Sequence, residues 1–386
     1  MMLARWHRVC SFALPLRRGL ATQHSLLVDA GQIPPARIRN FCIISHVDHG
    51  KSTLADRLIE MTGALDASHT QQAQMLDSLS VERSRGITIK ARTVSLLHTD
   101  PETHETYMLN LIDTPGHVDF SYEVSRSIAA CQGALLLVDA TKGVQAQTVA
   151  NFFLAFEQEL AITPIVNKVD LGHADVDGTL EQIATAFDLD PDAALPISAK
   201  TGLGTDAILP ALLHRMPPPK ARADAPLRLL LFDAWYDDFR GVLCLVEVLD
   251  GVLKKGETLI AAATGETYGL QQIELMRPVE PYSVESVGPG HVACIHLGMK
   301  SISEAHVGDT LSAARAPQPA LPGFKRPLPM VFSGLFPTDE GGFEGLQHAM
   351  ERFLLKDGSV SVEPTHSGTL GRGLRCGFLG MLHMEV

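Results

Sequence analysis

Five short polar motifs occur in a fixed order within the first 200 residues of the chain, each in a loop or at the end of a predicted strand. They are Ser-His-Val-Asp-His-Gly-Lys-Ser at 45–52, Arg-Gly-Ile-Thr at 85–88, Asp-Thr-Pro-Gly-His at 113–117, Asn-Lys-Val-Asp at 167–170 and Ser-Ala-Lys at 198–200. Any one of them could occur by chance, but five in this order indicate one site. Because parallel sheets bind ligands at the carboxyl ends of their strands, the motifs constrain the fold as well as the site.

The segments between the motifs predict a parallel sheet covered by helices on both faces. Continuous apolar runs, typical of strands buried on both sides, alternate with helical stretches. The predicted strands are 40–45, 107–112, 134–138, 162–166 and 195–197. The predicted helices are 51–62, 119–130, 145–160, 179–187 and 203–215. We therefore expect an α/β domain with a phosphate loop (P-loop) over residues 37–218.

Two further domains are predicted after this α/β domain. A stiff proline-rich linker at 216–226 precedes short β runs separated by glycine turns, which predict a β-barrel over 226–315. The β runs are 227–235, 242–249, 257–262, 268–275 and 292–297. A second proline-rich seam leads to a partial α+β, ferredoxin-like domain over 327–386. Its predicted elements are a strand at 330–335, a helix at 343–355 and strands at 360–364 and 374–379. Since such a remnant leaves a sheet edge open, we expect the chain to be truncated within this domain.

The motif at 45–52 predicts a loop that binds phosphate. Backbone N–H groups and the following helix N-terminus form a cradle for phosphate oxygens. Lys51 reaches the β- and γ-phosphates, and the Ser52 hydroxyl ligates Mg²⁺. Ser45 stands where the usual pattern has its first glycine, and a small residue still permits the turn. The predicted phosphate-binding residues are Ser45, Val47, Asp48, His49, Gly50, Lys51, Ser52, Thr53, Thr88, Asp113 and Gly116.

The motifs at 85–88 and 113–117 predict a sensor of the third phosphate. Asp113 ends a strand, where its carboxylate can hold Mg²⁺ through water, and Thr88 can add a hydroxyl, so Ser52, Thr88 and Asp113 are the expected metal ligands. The N–H of Gly116 can reach the γ-phosphate, and the imidazole of His117 can orient the attacking water as the catalytic residue. Contacts that exist only while the γ-phosphate is present produce an order–disorder switch.

The motifs at 167–170 and 198–200 predict a pocket that selects guanine. The Asp170 carboxylate can accept hydrogen bonds from both N1–H and the exocyclic amine of guanine, a pair of donors that adenine does not offer. The stem of Lys168 can lie along the base, and the N–H of Ala199 can donate to the guanine O6. The predicted guanine-binding residues are Asn167, Lys168, Asp170, Ser198, Ala199 and Lys200.

Residues 1–28 resemble an organellar presequence. Arg5, Arg8, Arg17 and Arg18 are interspersed with apolar residues, and no acidic residue occurs before Asp29, which is typical of a mitochondrial transit peptide. A disordered tail is the alternative interpretation. The longest apolar runs are too short for a membrane-spanning helix.

Charge and cysteine content restrict the function further. A formal net charge of −12 argues against a protein that simply coats nucleic acid, although a ribosome can still be bound through a local basic face or protein contacts. The six cysteines lie far apart with no C-x-x-C pair, so neither a zinc site nor a disulfide framework is expected, and a reducing compartment fits.

With these residues assembled, the chain resembles the translational GTPases and, specifically, elongation factor 4, the LepA family. The resemblance covers residues 37–386. It rests on Ile-Arg-Asn-Phe at 38–41, the blocks at 46–58, 81–91 and 116–127, Phe-Asp-Ala-Trp-Tyr-Asp at 232–237 and Arg-Cys-Gly-Phe-Leu-Gly-Met-Leu-His-Met-Glu at 375–385. The last two blocks are specific, because nucleotide chemistry does not require them. The presequence-like N-terminus indicates the mitochondrial member of the family.

The resemblance implies a ribosome-dependent GTPase of mitochondrial translation elongation, with Mg²⁺ as cofactor. It would hydrolyse GTP to GDP and phosphate to promote fidelity or to rescue stalled ribosomes by moving tRNAs backwards. The implied partners are the rRNA and proteins of the mitochondrial ribosome, and tRNA through domains beyond residue 386. Val47 and Ile87 would form a hydrophobic gate beside His117. The implied location is the mitochondrial matrix, and the sequence leaves peripheral contact with the inner membrane open.

Two other functions compete with this interpretation. An elongation factor G or tetracycline-protection type of GTPase has similar nucleotide motifs, but the blocks at 232–237 and 377–383 weigh against it. A non-hydrolysing GTP-dependent adaptor of the ribosome is the alternative from another class. Intact Thr88 and His117 weigh against the adaptor, since it could lose either residue without penalty.

Overall fold

The computed structural model describes residues 30–64, 88, 91–115, 118–322, 328–339, 342–354, 357 and 359–385. The predicted presequence at 1–28 lies outside the described residues. So do Arg85, Gly86 and Ile87 of the second motif and Gly116 and His117 of the third. Thr88, Asp113 and the two guanine motifs lie within the described residues, as does most of the predicted site.

The first sheet has six strands in the order β2-β3-β1-β4-β5-β6. The strands are β1 Ile38–Ser45, β2 Arg92–Thr99, β3 Thr106–Asp113, β4 Gly133–Asp139, β5 Ala161–Asn167 and β6 Leu195–Pro196. Every residue of β1 and β4 is buried, as expected for central strands covered on both faces. The parallel pairing expected for the five predicted strands is confirmed, and the structure adds an unpredicted edge strand, β2, that pairs antiparallel with β3. The other neighbours are parallel.

Two apolar layers hold the helices on opposite faces of this sheet. The helices are α1 Lys51–Met61, α2 Ser121–Ala129, α3 Ala146–Glu157, α4 Val176–Phe187 and α5 Ile208–Arg215. Alternate residues of β1 point to opposite sides: Phe41 and Ile43 pack with α1 and α5, whereas Cys42 and Ile44 pack with α2, α3 and α4. The carboxyl ends of the central strands thus carry the predicted motifs on a sheet fixed from both sides.

The second unit is antiparallel and consists of ten short strands. They are β7 Arg228–Asp237, β8 Gly241–Asp250, β9 Leu253–Lys254, β10 Thr258–Ala261, β11 Thr267–Gly269, β12 Gln272–Leu275, β13 Tyr282–Val284, β14 Ser286–Val287, β15 Val292–His296 and β16 Thr310–Ala313. Eight of them form one sheet in the order β11-β10-β16-β7-β8-β15-β12-β13, and β9 pairs with β14. Side chains from β7 through β16 share a single apolar core, as expected for the predicted barrel.

The outer face of this second sheet is buried against the first unit. Along β8, Val242, Cys244 and Val246 point into the barrel core, whereas Leu243 and Leu245 join the apolar layer that contains α2 and α3. The period-2 alternation of a strand gives β8 two apolar faces, one for each unit. The two units therefore share a continuous apolar interface.

A buried polar network crosses the same interface. Glu247 on β8 accepts hydrogen bonds from the amides of Asn40 (3.4 Å) and Gln132 (3.1 Å), both in the first unit. The Asn40 amide also donates to the Gly290 carbonyl (3.1 Å), and Asn110 donates to the Asn40 side-chain oxygen (2.7 Å). The partners of Glu247 in this network are neutral amides, and burial raises its pKa from 4.5 to about 7.

We expect Glu247→Gln to remove a pH-dependent loss of stability. The pKa of Glu247 is raised in the folded state, so its ionisation disfavours folding increasingly as pH rises from about 4.5 through 7, by on the order of 3 kcal/mol. Glutamine keeps an oxygen for both amide donors and carries no charge. In thermal unfolding between pH 5 and 8.5, the variant should match wild type at the acidic end and unfold at a higher temperature at pH 8.

The exposed Glu285→Gln is the control and should follow wild type at every pH. Burial also raises the pKa of Glu123 to about 7. Because Glu123 is present in both proteins, the difference between the unfolding temperatures of wild type and Glu247→Gln reports on Glu247 alone. Parallel unfolding curves for wild type and Glu247→Gln across this pH range would show that Glu247 is not the titrating group.

The third unit is a three-stranded antiparallel sheet with one long helix. Its elements are β17 Val331–Leu335, α6 Phe343–Leu354, β18 Ser361–Ser367, β19 Gly371–Phe378 and a short α7 Met381–Glu385, with strand order β17-β19-β18. The predicted strand, helix and two strands are all present, and α7 was not predicted. α7 contacts the first unit, because the N–H of Leu382 donates to the Asp119 carboxylate (2.9 Å).

Within the part of the chain that the structure describes, none of the helices combines the length and the apolar character needed to cross a bilayer.

Candidate nucleotide-binding site

The predicted phosphate loop lies between the end of β1 and the start of α1. Gly50 precedes the first residue of α1 with φ 99°, a left-handed conformation that favours glycine. A Cβ at this position would lie 2.5 Å from the side-chain nitrogen of Asn167, which is closer than a real contact allows. The glycine therefore permits both the turn and the close approach of the guanine motif to the loop.

Four of the predicted phosphate and metal residues meet directly behind this loop. The ammonium group of Lys51 lies 2.7 Å from Asp113 Oδ1 and 2.7 Å from Thr88 Oγ1. Ser52 Oγ is 3.5 Å from Thr88 Oγ1. Lys51, Thr88 and Asp113 are all buried. Residues separated by up to 62 positions thus converge from the loop, the second motif and the end of β3.

This cluster suits a hard divalent cation. Mg²⁺ prefers oxygen ligands, and Ser52, Thr88 and Asp113 supply two hydroxyls and a carboxylate. Asp113 is fully buried, and its Oδ2 has no hydrogen-bond partner among the described residues. A buried carboxylate oxygen without a partner is costly unless a ligand or water satisfies it. The donor set therefore fits a Mg²⁺ ion that the Asp113 carboxylate holds through water.

The remaining residues of the phosphate loop differ in their surroundings. The N–H of Val47 donates to the Gln147 side chain of α3 (3.2 Å). Asp48 is exposed with φ 66°, and Thr53 is exposed on α1. His49 is fully buried, and burial lowers its pKa to about 4, so the ring is neutral. Its Nδ1 accepts the N–H of Asp139 (3.3 Å), which fixes the imidazole beneath the loop rather than at its surface.

Asn167 connects the two halves of the predicted site. Its amide donates to the His49 carbonyl of the phosphate loop (2.9 Å), and its side-chain oxygen accepts the N–H of Ala199 (3.0 Å). The N–H that the sequence assigns to guanine O6 thus donates to Asn167 in this structure. Asn167 acts as a clamp between loops, a role that the sequence did not indicate.

Lys168 bridges the base motif and the phosphate loop. Its ammonium group donates to the Asp48 carbonyl (2.6 Å) and lies 2.8 Å from the buried Asp139 carboxylate. Burial alone would raise the pKa of Asp139, but hydrogen bonds from Lys168 and Thr141 lower it below its usual value. The Lys168 stem is therefore extended across the site, and the Asp170 carboxylate two residues later is exposed.

The loop that carries Ser198, Ala199 and Lys200 is fixed by α1. The Arg57 guanidinium donates to the carbonyls of Ala199 (3.1 Å) and Lys200 (2.9 Å). Ser198 is buried, and its hydroxyl accepts the N–H of Thr201 (3.2 Å), which closes a tight turn. The Lys200 side chain is exposed. These contacts hold the backbone of the loop beside the guanine motif.

The side chains that sequence reasoning missed are those that support the loops. Gln147 and Asn151 of α3 contact the backbone of Val47 and Ser45 (3.2 and 3.3 Å), and no motif marks them. Arg57 is also without a signal, because the carbonyls that it holds belong to residues distant in sequence. Asp139 could have been found, since it ends a predicted buried strand as Asp113 does.

Comparison with known proteins finds similarity along most of the chain. The model of the elongation factor Tu GTP-binding domain family matches residues 36–218. The translation factor GUF1 homolog, mitochondrial, from Sorghum bicolor is 53% identical over 360 residues, which are 92% of this chain and 54% of the relative. The protein of the same name from Trichoplax adhaerens is 51% identical over 356 residues, covering 92% and 53%. The chain thus spans about half the length of the curated relatives it matches.

A solved structure from Thermus thermophilus has the same fold. It superposes with a TM-score of 0.70 at 20% sequence identity, and it covers 91% of this chain and 65% of its own. The first unit contains the phosphate loop, the two guanine motifs and the residues that match the elongation factor Tu family model. The similarity to the GUF1 relatives continues through the second and third units. The chain belongs to the translational GTPases of the elongation factor 4 (LepA) family, which includes the factors named GUF1.

Proposed function

We propose that this chain binds and hydrolyses GTP in mitochondrial translation elongation and that the ribosome stimulates the reaction. The observation that carries the proposal is the convergence of Lys51, Thr88 and Asp113 behind a loop that Asn167 clamps to the base motif. This arrangement supports binding of the phosphates and the base of one nucleotide on the same frame. The fidelity and stalled-ribosome roles, including back-translocation of tRNAs, are part of the same proposal.

The phosphate half of the site supplies charge and backbone donors. Lys51 moves its ammonium group from Asp113 and Thr88 to the β- and γ-phosphates when a nucleotide enters. Ser52, Thr88 and Asp113 would hold Mg²⁺, which would neutralise charge on the phosphate oxygens. The backbone from Ser45 to Thr53 lines the phosphates, and Gly116 donates to the γ-phosphate. Thr88 and Gly116 therefore report whether the third phosphate is present.

The base half of the site selects guanine. Asp170 is exposed, and in the proposed complex its carboxylate accepts two hydrogen bonds from the base. Lys168 lies along the base through its stem while its ammonium group stays on Asp48 and Asp139. Ser198, Ala199 and Lys200 close the pocket, and Asn167 holds it to the phosphate loop. A base without the two donors of guanine leaves the carboxylate unpaired, which reduces affinity strongly.

His117 is the proposed catalytic residue, with Val47 and Ile87 as the gate in front of it. A neutral imidazole can orient the attacking water and accept its proton in the transition state. In the proposed mechanism the rRNA of the large subunit draws the imidazole past the gate, so hydrolysis is slow away from the ribosome. The N–H of Val47 donates to Gln147, and this contact supports a fixed position for the Val47 side of the proposed gate.

The proposed setting is the mitochondrial matrix, after removal of residues 1–28. We propose the domain limits 37–218, 226–315 and 327–386 and the mitochondrial ribosome as the principal partner. We propose that contacts with tRNA are made by regions equivalent to the half of the relatives that this chain does not match. Peripheral binding to the matrix face of the inner membrane is a separate, subsidiary proposal.

Ribosome-stimulated turnover tests the proposal. Phosphate release from GTP should rise by orders of magnitude when mitochondrial ribosomes are added, and ATP should not be turned over. If nucleotide binds and ribosomes are retained but turnover stays at the basal rate, the non-hydrolysing adaptor would replace the GTPase as the preferred function.

A further inference from the structure

A buried cluster of three potential metal ligands lies in the second unit, away from the nucleotide site. Glu274 on β12 pairs directly with Cys294 on β15 in the antiparallel register, and His296 is two residues after Cys294. Residues i and i+2 of a strand share a face, so all three side chains project from the same side of the sheet. The cluster therefore arises from strand pairing and not from a local sequence motif.

The three ligand atoms are close together and shielded from solvent. One carboxylate oxygen, the cysteine Sγ and one imidazole nitrogen all lie within 4.8 Å of one another. Glu274, Cys294 and His296 are 6%, 1% and 7% exposed. Zinc bonds of about 2.0–2.3 Å imply ligand separations of roughly 3.3–3.8 Å, so only small side-chain movements would complete a site.

The present hydrogen bonds of the cluster can be exchanged for metal bonds. Glu274 Oε2 lies 3.1 Å from His296 Nε2 and 3.2 Å from an Arg240 nitrogen, and Gln272 donates to Oε1 (2.8 Å). Arg240 has a second carboxylate partner, Asp237, at 3.3 Å. It therefore keeps an ion pair if the Glu274 carboxylate rotates to bind a metal ion. Gln272 can remain on Oε1 and orient the carboxylate as an outer partner.

We propose that Glu274, Cys294 and His296 form a zinc-binding site that joins β12 to β15. A thiolate, a carboxylate and a neutral imidazole together neutralise Zn²⁺ and are ligand types that this ion accepts. The thiol proton leaves to solvent, and the imidazole carries its remaining proton on Nδ1. The fourth position of the tetrahedron is left for water or an exogenous ligand.

The ligand chemistry favours zinc over the cation of the nucleotide site. Mg²⁺ requires an octahedron of oxygen atoms, and this cluster offers a single carboxylate. The site also requires nothing from the GTPase reaction, so the two metals would be independent. Its expected effect is structural, because an ion that binds only the folded state raises stability by mass action.

Zinc titration of the GDP- and Mg²⁺-loaded chain, in competition with a chromophoric chelator, tests the proposal. Wild type should bind one Zn²⁺, and Cys294→Ser should lower the affinity for this ion by about 100-fold or more. The matched control is Cys244→Ser: Cys244 is also buried in the barrel, but it pairs with Ile295 and points into the core, so affinity should not change. Glu274→Gln provides a second ligand variant of nearly equal volume.

Substitution with Co²⁺ identifies the thiolate directly. Wild type and Cys244→Ser should show the near-ultraviolet absorption of a thiolate–Co²⁺ bond, and Cys294→Ser should lack it. The proposal is overturned by the wild-type protein alone if the absorption band is absent or if zinc does not bind tightly. Equal zinc affinity in wild type, Cys294→Ser and Glu274→Gln also overturns it, since the ion would then lie elsewhere.

Discussion

Lys51→Ala is expected to weaken the binding of GDP and GTP by about 100-fold or more. The Lys51 ammonium group is the cation of the buried cluster, and we propose that it is the group that reaches the phosphates. Hydrogen bonds to ionised groups are roughly twice as strong as neutral ones, and about 2.8 kcal/mol corresponds to a factor of 100 in affinity. Titration with a fluorescent GDP analogue measures the loss.

The same substitution should lower the stability of the nucleotide-free protein. Removing Lys51 leaves the Asp113 carboxylate buried without its cation, a change that typically costs about 3–5 kcal/mol. The exposed Lys220→Ala is the control and should alter neither affinity nor unfolding temperature. Wild-type GDP affinity in Lys51→Ala would contradict the assignment of this loop to phosphate.

His117→Ala is expected to remove most of the ribosome-stimulated hydrolysis while GTP binding survives. Positioned acid–base groups contribute roughly 100- to 10,000-fold to a reaction, and the loss should appear in the turnover rate with ribosomes. The next described residues, Val118–Phe120, are held by the contact of Asp119 with Leu382, so the segment that follows His117 has a fixed anchor. Rapid-mixing measurement of phosphate release gives the rate.

A matched control for His117 is the exposed His173→Ala in the same unit, which should retain full stimulation. GTP affinity is measured in parallel, so that loss of binding is not mistaken for loss of catalysis. Equal stimulation of wild type and His117→Ala would remove His117 from the catalytic role and leave the nucleotide site intact.

The sequence predicted the central sheet well because its strands are buried on both faces. Continuous apolar runs located β1, β3, β4 and β5 to within two residues at their ends, and Gly-Lys-Ser marked the start of α1. β2 was missed because its sequence, Arg92–Thr99, mixes polar and apolar residues as an edge strand does. Among the short strands, the predicted run at 268–275 is divided into β11 and β12, because Leu270 and Gln271 belong to neither strand.

Long-range pairing explains what the sequence could not show. The motifs indicated Lys51, Thr88 and Asp113 because each carries a chemical function of its own. Asn167 as a clamp and Arg57 as a loop holder depend on backbone carbonyls, which have no signature in the sequence. The same limit applies to the cysteines: spacing argued against a zinc site, whereas pairing of β12 with β15 places Cys294 beside Glu274 and His296, and only that pairing suggests one.

The most direct test of the central claim is the base preference of Asp170→Asn, measured by competition of GDP and xanthosine diphosphate for the site. Wild type should prefer GDP strongly. The affinity of the variant for GDP should fall by about 100-fold, and its affinity for xanthosine diphosphate should rise. The amide introduced by the substitution would present a hydrogen-bond donor at a position where guanine also donates and where xanthine has an acceptor. Unchanged preference for GDP in Asp170→Asn would contradict the account of this chain as a guanine-nucleotide switch.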